Sequence, residues 1–278
     1  MSGIPWLRDL DRRWIFLAVA LLTVVPLVTG FHIAPVKPGH RAEGFYNAIE
    51  ALPEGSTVLL AGDYDPGTIA ENYPAHLAAA RHLFRKNIKI VAIALYPGGP
   101  PLTDQVLGIA AAEYGKELGV EYVNLGFKSG NELVMSRMGL SIPDTYPVDI
   151  RGVPVNTIPV MAGIENYNSL ALLVNISAGY PGTKEWVQQV VSRYHIPMIA
   201  AVTAVSAPEY YPYLQTKQLH GLLGGMAGAA EYEALVETPG LAMRGMDAQS
   251  LAHVFIALMI ILGNIANPPK RDGKRGAA

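Results

Sequence analysis

Two carboxylates and a hydroxyl stand close together in the turn Gly62-Asp63-Tyr64-Asp65-Pro66-Gly67-Thr68. Asp63 and Asp65, two positions apart, supply oxygen atoms of the kind that hold Mg²⁺, or a nucleophile beside an acid. The same residue types make ordinary turns and helix caps, so the expectation for Asp63, Asp65 and Thr68 is a turn first and a ligand site second. A second turn, Ser177-Ala178-Gly179-Tyr180-Pro181-Gly182-Thr183, runs straight into a helical pattern. Gly179 and Gly182, the hydroxyls of Ser177 and Thr183, and the helix N-terminus behind them are suited to a phosphate or carboxylate held on backbone N–H groups. The spacing matches neither G-x-G-x-x-G nor a Walker loop, so the expectation is a tight turn with a helix cap first and an anion site second. Two more turns, Tyr96-Pro97-Gly98-Gly99 and Gly126-Phe127-Lys128-Ser129-Gly130, complete the set, with Lys128 their only cation.

Composition closes off several other chemistries. The chain has no cysteine among its 278 residues, which excludes disulfides, thiol nucleophiles and Cys-ligated metals. Lys and Arg number 21 against 23 Asp and Glu, a net charge of −2, so there is no basic excess to displace phosphate counterions and no nucleic-acid partner is expected. His76 and His82, six apart, fall on different faces of one helix, and H-E-x-x-H is absent, so no metal site is expected. A Ser-His-Asp triad lacks its G-x-S-x-G elbow. No motif names a cofactor.

The turns must be positioned by strands. Apolar runs at 57–61, 88–95, 120–125, 171–176 and 197–205 are rich in Val, Ile and Leu, the pattern of parallel strands buried on both faces. Helical patterns at 43–52, 75–86, 103–118 and 184–194 fill the gaps, with Thr103 and Thr183 as expected N-caps. This alternation predicts a Rossmann-like, doubly wound, mostly parallel sheet of about five strands. In such a sheet ligands bind outside the carboxyl ends of the strands, which is where all four turns fall. Residues 141–170 break the rhythm with Pro143, Pro147, Pro154 and Pro159, and read as a hairpin or ordered excursion serving as a contact surface or lid. From Gly221 the stretch GLLGGMAGAAEYEAL concentrates small residues. Gly221, Gly224, Gly225 and Gly228 are expected to pack a helix against another backbone, with a subunit contact as a second role.

Both ends of the chain are apolar. Residues 14–31 carry no formal charge, and residues 251–266 form a second such run, interrupted by His253 and Asn264. The organisation expected is a basic segment 1–13, a transmembrane helix 14–36, an α/β domain 37–249, a transmembrane helix 250–267 and a basic tail 268–278. Seven cations flank the spans on the outside (Arg8, Arg12, Arg13, Lys270, Arg271, Lys274, Arg275) and three on the inside (Lys37, Arg41, Arg244). Because Lys and Arg favour the cytoplasm, both termini are expected there and the α/β domain on the outer side of the lipid bilayer.

Two functional readings follow. One is a non-catalytic assembly or scaffold subunit, a homo-oligomer or a partner of other membrane proteins. The other is an anchored enzyme or sensor for a small anionic ligand, with Asp63, Asp65, Thr68, Ser177, Gly179, Gly182 and Thr183 around it.

Overall fold

The computed structural model describes residues 11–30 and 36–266. They divide into two units, Val36–Met243 and the described parts of Met1–Pro35 with Arg244–Ala278. Residues 1–10 of the basic segment 1–13, and the tail 268–278, lie outside the described residues.

Within Val36–Met243, six strands make one parallel sheet: β1 (Thr57–Asp63), β2 (Lys89–Ala94), β3 (Tyr122–Phe127), β4 (Leu172–Ser177), β5 (Met198–Val202) and β6 (Gly221–Gly224). Their order is β3-β2-β1-β4-β5-β6, so the winding reverses between β1 and β4, and there Asp63 stands beside Ser177 in register. The five expected strands all form, and their near-continuous apolar sequences are buried on both faces.

β6 was expected as part of a helix. Four residues with two glycines have poor strand propensity, and tertiary packing overrides it. Helix α2 (His40–Glu50) lies directly on this strand: a Cβ on Gly221 would fall 2.0 Å from the Phe45 nitrogen. Only glycine lets the two backbones approach so closely.

Helices α3 (Ile69–Arg85) and α4 (Gly99–Tyr114), with α2, cover one face of the sheet together with a later helix, Gly225–Leu235. Helix α4 starts four residues before the expected Thr103 cap. Gly99 rests on the Gly62 carbonyl, where a Cβ would be 2.1 Å away, and Pro100 and Pro101 pre-set the first helical turn. Thr103 is therefore one turn inside the helix, and fully buried.

The other face is covered by α5 (Glu132–Met138), α6 (Ile142–Thr145), the excursion, and a helical run made of α7 (Thr183–Trp186), a π-turn Val187–Val191 and α8 (Ser192–Tyr194). The expected hairpin within 141–170 shrinks to one antiparallel bridge, Val148 to Pro154. Tyr146, Val155, Ile158, Val160, Met161 and Tyr167 of this stretch belong to the hydrophobic core beside Trp186. The excursion therefore does a helix's work in covering the sheet, and it is not a free hairpin. Helices α9 (Ala207–Gln215) and α10 (Gly225–Leu235) complete the domain.

The terminal helices are α1 (Arg12–Thr29) and α11 (Leu241–Ala266). Each is long and apolar enough to cross a membrane, with mean hydropathy of 1.7 and 1.8 and only 6% of the apolar window buried in either. At about 1.5 Å per residue they measure roughly 27 and 39 Å, against a hydrocarbon core of about 30 Å. Helix α1 stops at Thr29, short of the expected 36, because Gly30 adopts a left-handed φ of 66° and returns its N–H to the Pro26 carbonyl at 3.0 Å. Helix α11 begins ten residues before the apolar run suggested. The buried Glu233 carboxylate accepts the N–H groups of Gly240, Ala242 and Met243 at 3.0, 3.1 and 2.9 Å, capping donors that a helix start leaves open. Gly30 and Arg244 are neighbours, a Cβ on the glycine being 3.3 Å from the guanidinium, so the last turn of α1 lies beside the first turns of α11.

Candidate functional site

The crevice between β1 and β4 is where this strand order predicts a ligand. Asp63 ends β1 there, fully buried, with its side chain on the face covered by α7. One carboxylate oxygen accepts the Leu95 N–H at 2.7 Å. The other accepts the Asn175 side-chain amide at 2.9 Å and the Trp186 indole N–H at 2.7 Å. Three donors from β4, α7 and the turn after β2 thus converge on one acid, which ties the sheet to the helix above it. Burial pushes its pKa from 3.8 up to about 6, opposed by those same three hydrogen bonds.

Ser177 and Thr183 continue this network. The Thr183 hydroxyl donates to the Asn175 carbonyl oxygen at 2.7 Å and lies 3.0 Å from the Ser177 hydroxyl, which also accepts the Thr183 N–H at 3.2 Å. Thr183 is therefore not the expected cap. Gly182 takes that position, with its N–H donated to Glu185 at 2.8 Å. Of the N–H groups of this turn that a bound anion would need, Ala178 donates to the Asp63 carbonyl, Gly182 to Glu185 and Thr183 to Ser177, while those of Gly179 and Tyr180 have no acceptor among the described residues. Gly179, at φ 132°, turns the chain where an L side chain would be strained.

Asp65 behaves as a cap. Its carboxylate accepts the Gly67 N–H at 2.8 Å at the head of the short 3₁₀ turn Pro66–Thr68. The Thr68 hydroxyl donates to the Asp65 carbonyl at 3.3 Å and accepts from the Asn72 amide at 3.3 Å. Asp63 and Asp65 consequently serve different structures and do not form a pair. Lys128 donates to the Thr145 carbonyl at 2.5 Å and sits 5.7 Å from the centre of the Tyr146 ring, so the lone cation of these turns faces the excursion. Among the described residues no cluster of three or more His, Asp or Glu side chains suits a metal ion.

Sequence reasoning missed Asn175 and Trp186, which do most to organise the crevice. The visible signal was a single amide inside the apolar run ALLVNI, a polar side chain that burial obliges to find partners. It also missed two histidine sites on α3. His76 accepts from or donates to Tyr64 at 3.0 Å through Nδ1, and burial holds its pKa down at about 3, so it is neutral. His82 joins Tyr232 at 2.7 Å and Glu50 at 2.8 Å, linking α3 to α10 and α2. Burial lowers its pKa to about 4, while the His82 and Lys86 hydrogen bonds draw Glu50 down to about 2.

The apolar side chains of the same edge point the other way. Ile69 after β1, Phe127 at the end of β3 and Leu133 after it, Tyr180 after β4 and Val205 after β5 are all exposed, Leu133 at 60% and Val205 at 89%. Polar groups inside and apolar groups outside invert the arrangement of an open site for a charged ligand.

The small residues near Gly221 have intrachain reasons. Gly228 packs on the Leu223 backbone, a Cβ falling 3.0 Å from it, and a Cβ on Gly224 would fall 2.9 Å from the Ala207 methyl. Gly225 has φ 58° and lies against Ala204 and the Glu71 carboxylate, where α3 reaches the end of β5. The expected close packing of backbones is present, but between parts of this one chain. The residue set reads as strand, left-handed turn and helix, not as one helix.

No protein-family model and no curated protein sequence matches the chain. Among solved structures, a trehalose-6-phosphate synthase resembles it with 12% identity and a TM-score of 0.30 over 90% of this chain and 50% of that one. The chain thus spans about half the length of that enzyme. A likeness at this level carries no argument about activity, and the description of the fold rests on the strand order itself.

Proposed function

We propose that the chain is a membrane-anchored assembly subunit, with α1 and α11 spanning the bilayer and the α/β domain meeting a second membrane-protein chain, its own copy or another, through its carboxyl edge. The observation that carries this reading is the inversion at that edge. Asp63, Ser177 and Thr183 use their bonding capacity on one another and on Asn175 and Trp186, while Leu133, Tyr180 and Val205 stand in solvent. Exposed apolar groups on several adjacent turns suit a protein interface.

The anchoring rests on two apolar helices too exposed to be core helices. The adjacency of Gly30 and Arg244 favours an antiparallel pair, which would return both chain ends to one side. The excess of cations on the outer flanks then makes that side the cytoplasm and puts the α/β domain opposite.

The test is the mass of the particle released from native membranes by a mild detergent. An oligomer or mixed particle is expected, and the double variant Leu133→Lys, Val205→Lys should shrink it while melting at the parent temperature. A parent that extracts as a lone monomer would overturn the proposal. Single cysteines introduced at Val205 and Thr238, in a chain with none of its own, should react with an impermeant reagent on intact cells if the domain faces outward.

A further inference from the structure

At the far end of the same edge, between β5 and β6, a cavity of about 130 Å³ is lined by Arg41, Tyr211, Glu231, Gly224, Gly228 and Ala227, among others. Arg41, in the first turn of α2, lays its guanidinium over the Tyr211 ring, 4.6 Å from its centre. The ring fixes the direction of the charge and leaves its N–H groups uncommitted, since Arg41 has no ion pair or hydrogen bond with any described residue. Glu231, on α10, gives one oxygen to the Gly39 N–H at 3.0 Å, and its other oxygen has no donor among the described residues.

Arg41 and Glu231, of opposite charge, line the same cavity, the arginine exposed and the glutamate half-buried. Here each is held by something else, Arg41 by a ring and Glu231 by a backbone N–H, and they remain apart. A molecule that satisfied both would carry an anionic end and a cationic end a few bonds apart. The cavity is small, and the glycines at its wall add no side-chain volume. We propose that this cavity binds a small zwitterion, of the size of free glycine or alanine, with its carboxylate on the Arg41 guanidinium and its ammonium on the Glu231 carboxylate.

The experiment is titration calorimetry on the full chain in detergent with glycine as the probe, and with acetate and methylammonium as its two halves. Glycine should bind one per chain, and each half should bind at least about tenfold more weakly. Arg41→Gln and Glu231→Gln should each weaken glycine about tenfold or more, the glutamine keeping an acceptor for Gly39. Ala227→Leu, at an exposed position of α10 and neutral for helix formation, should block the cavity without changing any charge. Absence of binding by both glycine and alanine would overturn the site. So would glycine binding that Arg41→Gln and Ala227→Leu both leave unchanged, and acetate binding as tight as glycine would overturn the zwitterion. All these outcomes are independent of particle size, so the site and the assembly reading stand or fall separately.

Discussion

Two crevices on one sheet edge use polar residues in opposite ways. Between β1 and β4, Asp63 accepts from Leu95, Asn175 and Trp186, and Thr183 is bonded to Asn175 and Ser177. Between β5 and β6, Arg41 and Glu231 line an open cavity and do not meet. Position at the carboxyl edge is shared, so position alone does not make a site. What separates them is whether the bonding capacity of the side chains is already met inside the fold, which no spacing rule reports.

The sharpest way to break this contrast is Asp63→Ala. It strands the Leu95 N–H, the Asn175 amide and the Trp186 indole in a buried place, and at about 1–3 kcal/mol for each unsatisfied group the loss should reach about 3 kcal/mol or more. Thermal melting of the full chain should fall by about 10 °C, at roughly 2–4 °C per kcal/mol for a domain of this size. A melting temperature unchanged from the parent would mean that Asp63 is free for a ligand after all, and the β1/β4 crevice would return as the leading site.

Asp63 also gives the closed crevice a pH signature. Its folded pKa of about 6 lies above the ordinary 3.8, so between those values the folded chain keeps a proton that the unfolded chain has released. Its contribution to stability is therefore full below about 4 and is lost as pH rises through 6. His76 and His82 work in the opposite sense. Their folded values of about 3 and about 4 lie below 6.5, and their contribution is present above 6.5 and lost as pH falls. Asp63→Asn removes only the falling slope, so between pH 4 and 6 the variant's melting temperature should climb more steeply than the parent's. Parallel curves would show that Asp63 does not titrate in that window.

Much of this was legible because the strands announce themselves. Apolar runs such as TVLLA and IKIVAIAL have to be buried on both faces, and that requirement fixes a parallel sheet and its carboxyl edge. β6 was not legible, since Gly221 and Gly224 are strand residues only because α2 and Ala207 leave no room for a side chain. Helix starts were misplaced for a related reason: Thr103 has the chemistry of a cap, but Gly99 sits against Gly62 one turn earlier and begins the helix there. At the crevice the sequence offered the hydroxyls and carboxylates but not their partners. Asn175, Trp186 and Leu95 lie 32 to 123 residues from Asp63, and only the fold brings them to it.

A smaller effect is expected at Asp65, the other member of the acidic turn. Among the described residues its carboxylate holds a single N–H, that of Gly67, at a half-exposed position, so Asp65→Ala should cost about 0.5–1 kcal/mol, the ordinary loss of a cap. The ratio to Asp63→Ala matters more than either value, because two ligands of a shared ion would produce comparable losses and a common dependence on added Mg²⁺. Melting of both variants with and without Mg²⁺ tests this, and a Mg²⁺ response in the parent that either substitution abolishes would restore the pair.

A comparably small effect on folding should come from Arg41→Gln. The guanidinium is exposed and among the described residues the interaction it makes is with the Tyr211 ring, worth about 0.5–1 kcal/mol at such a site. A melting temperature within a few degrees of the parent is expected, at the rate of roughly 2–4 °C per kcal/mol. A large fall would show that Arg41 is bonded into the fold as Asp63 is. The two crevices would then be alike, and the open charge at the end of β6 would lose its distinction from the closed one beside β1.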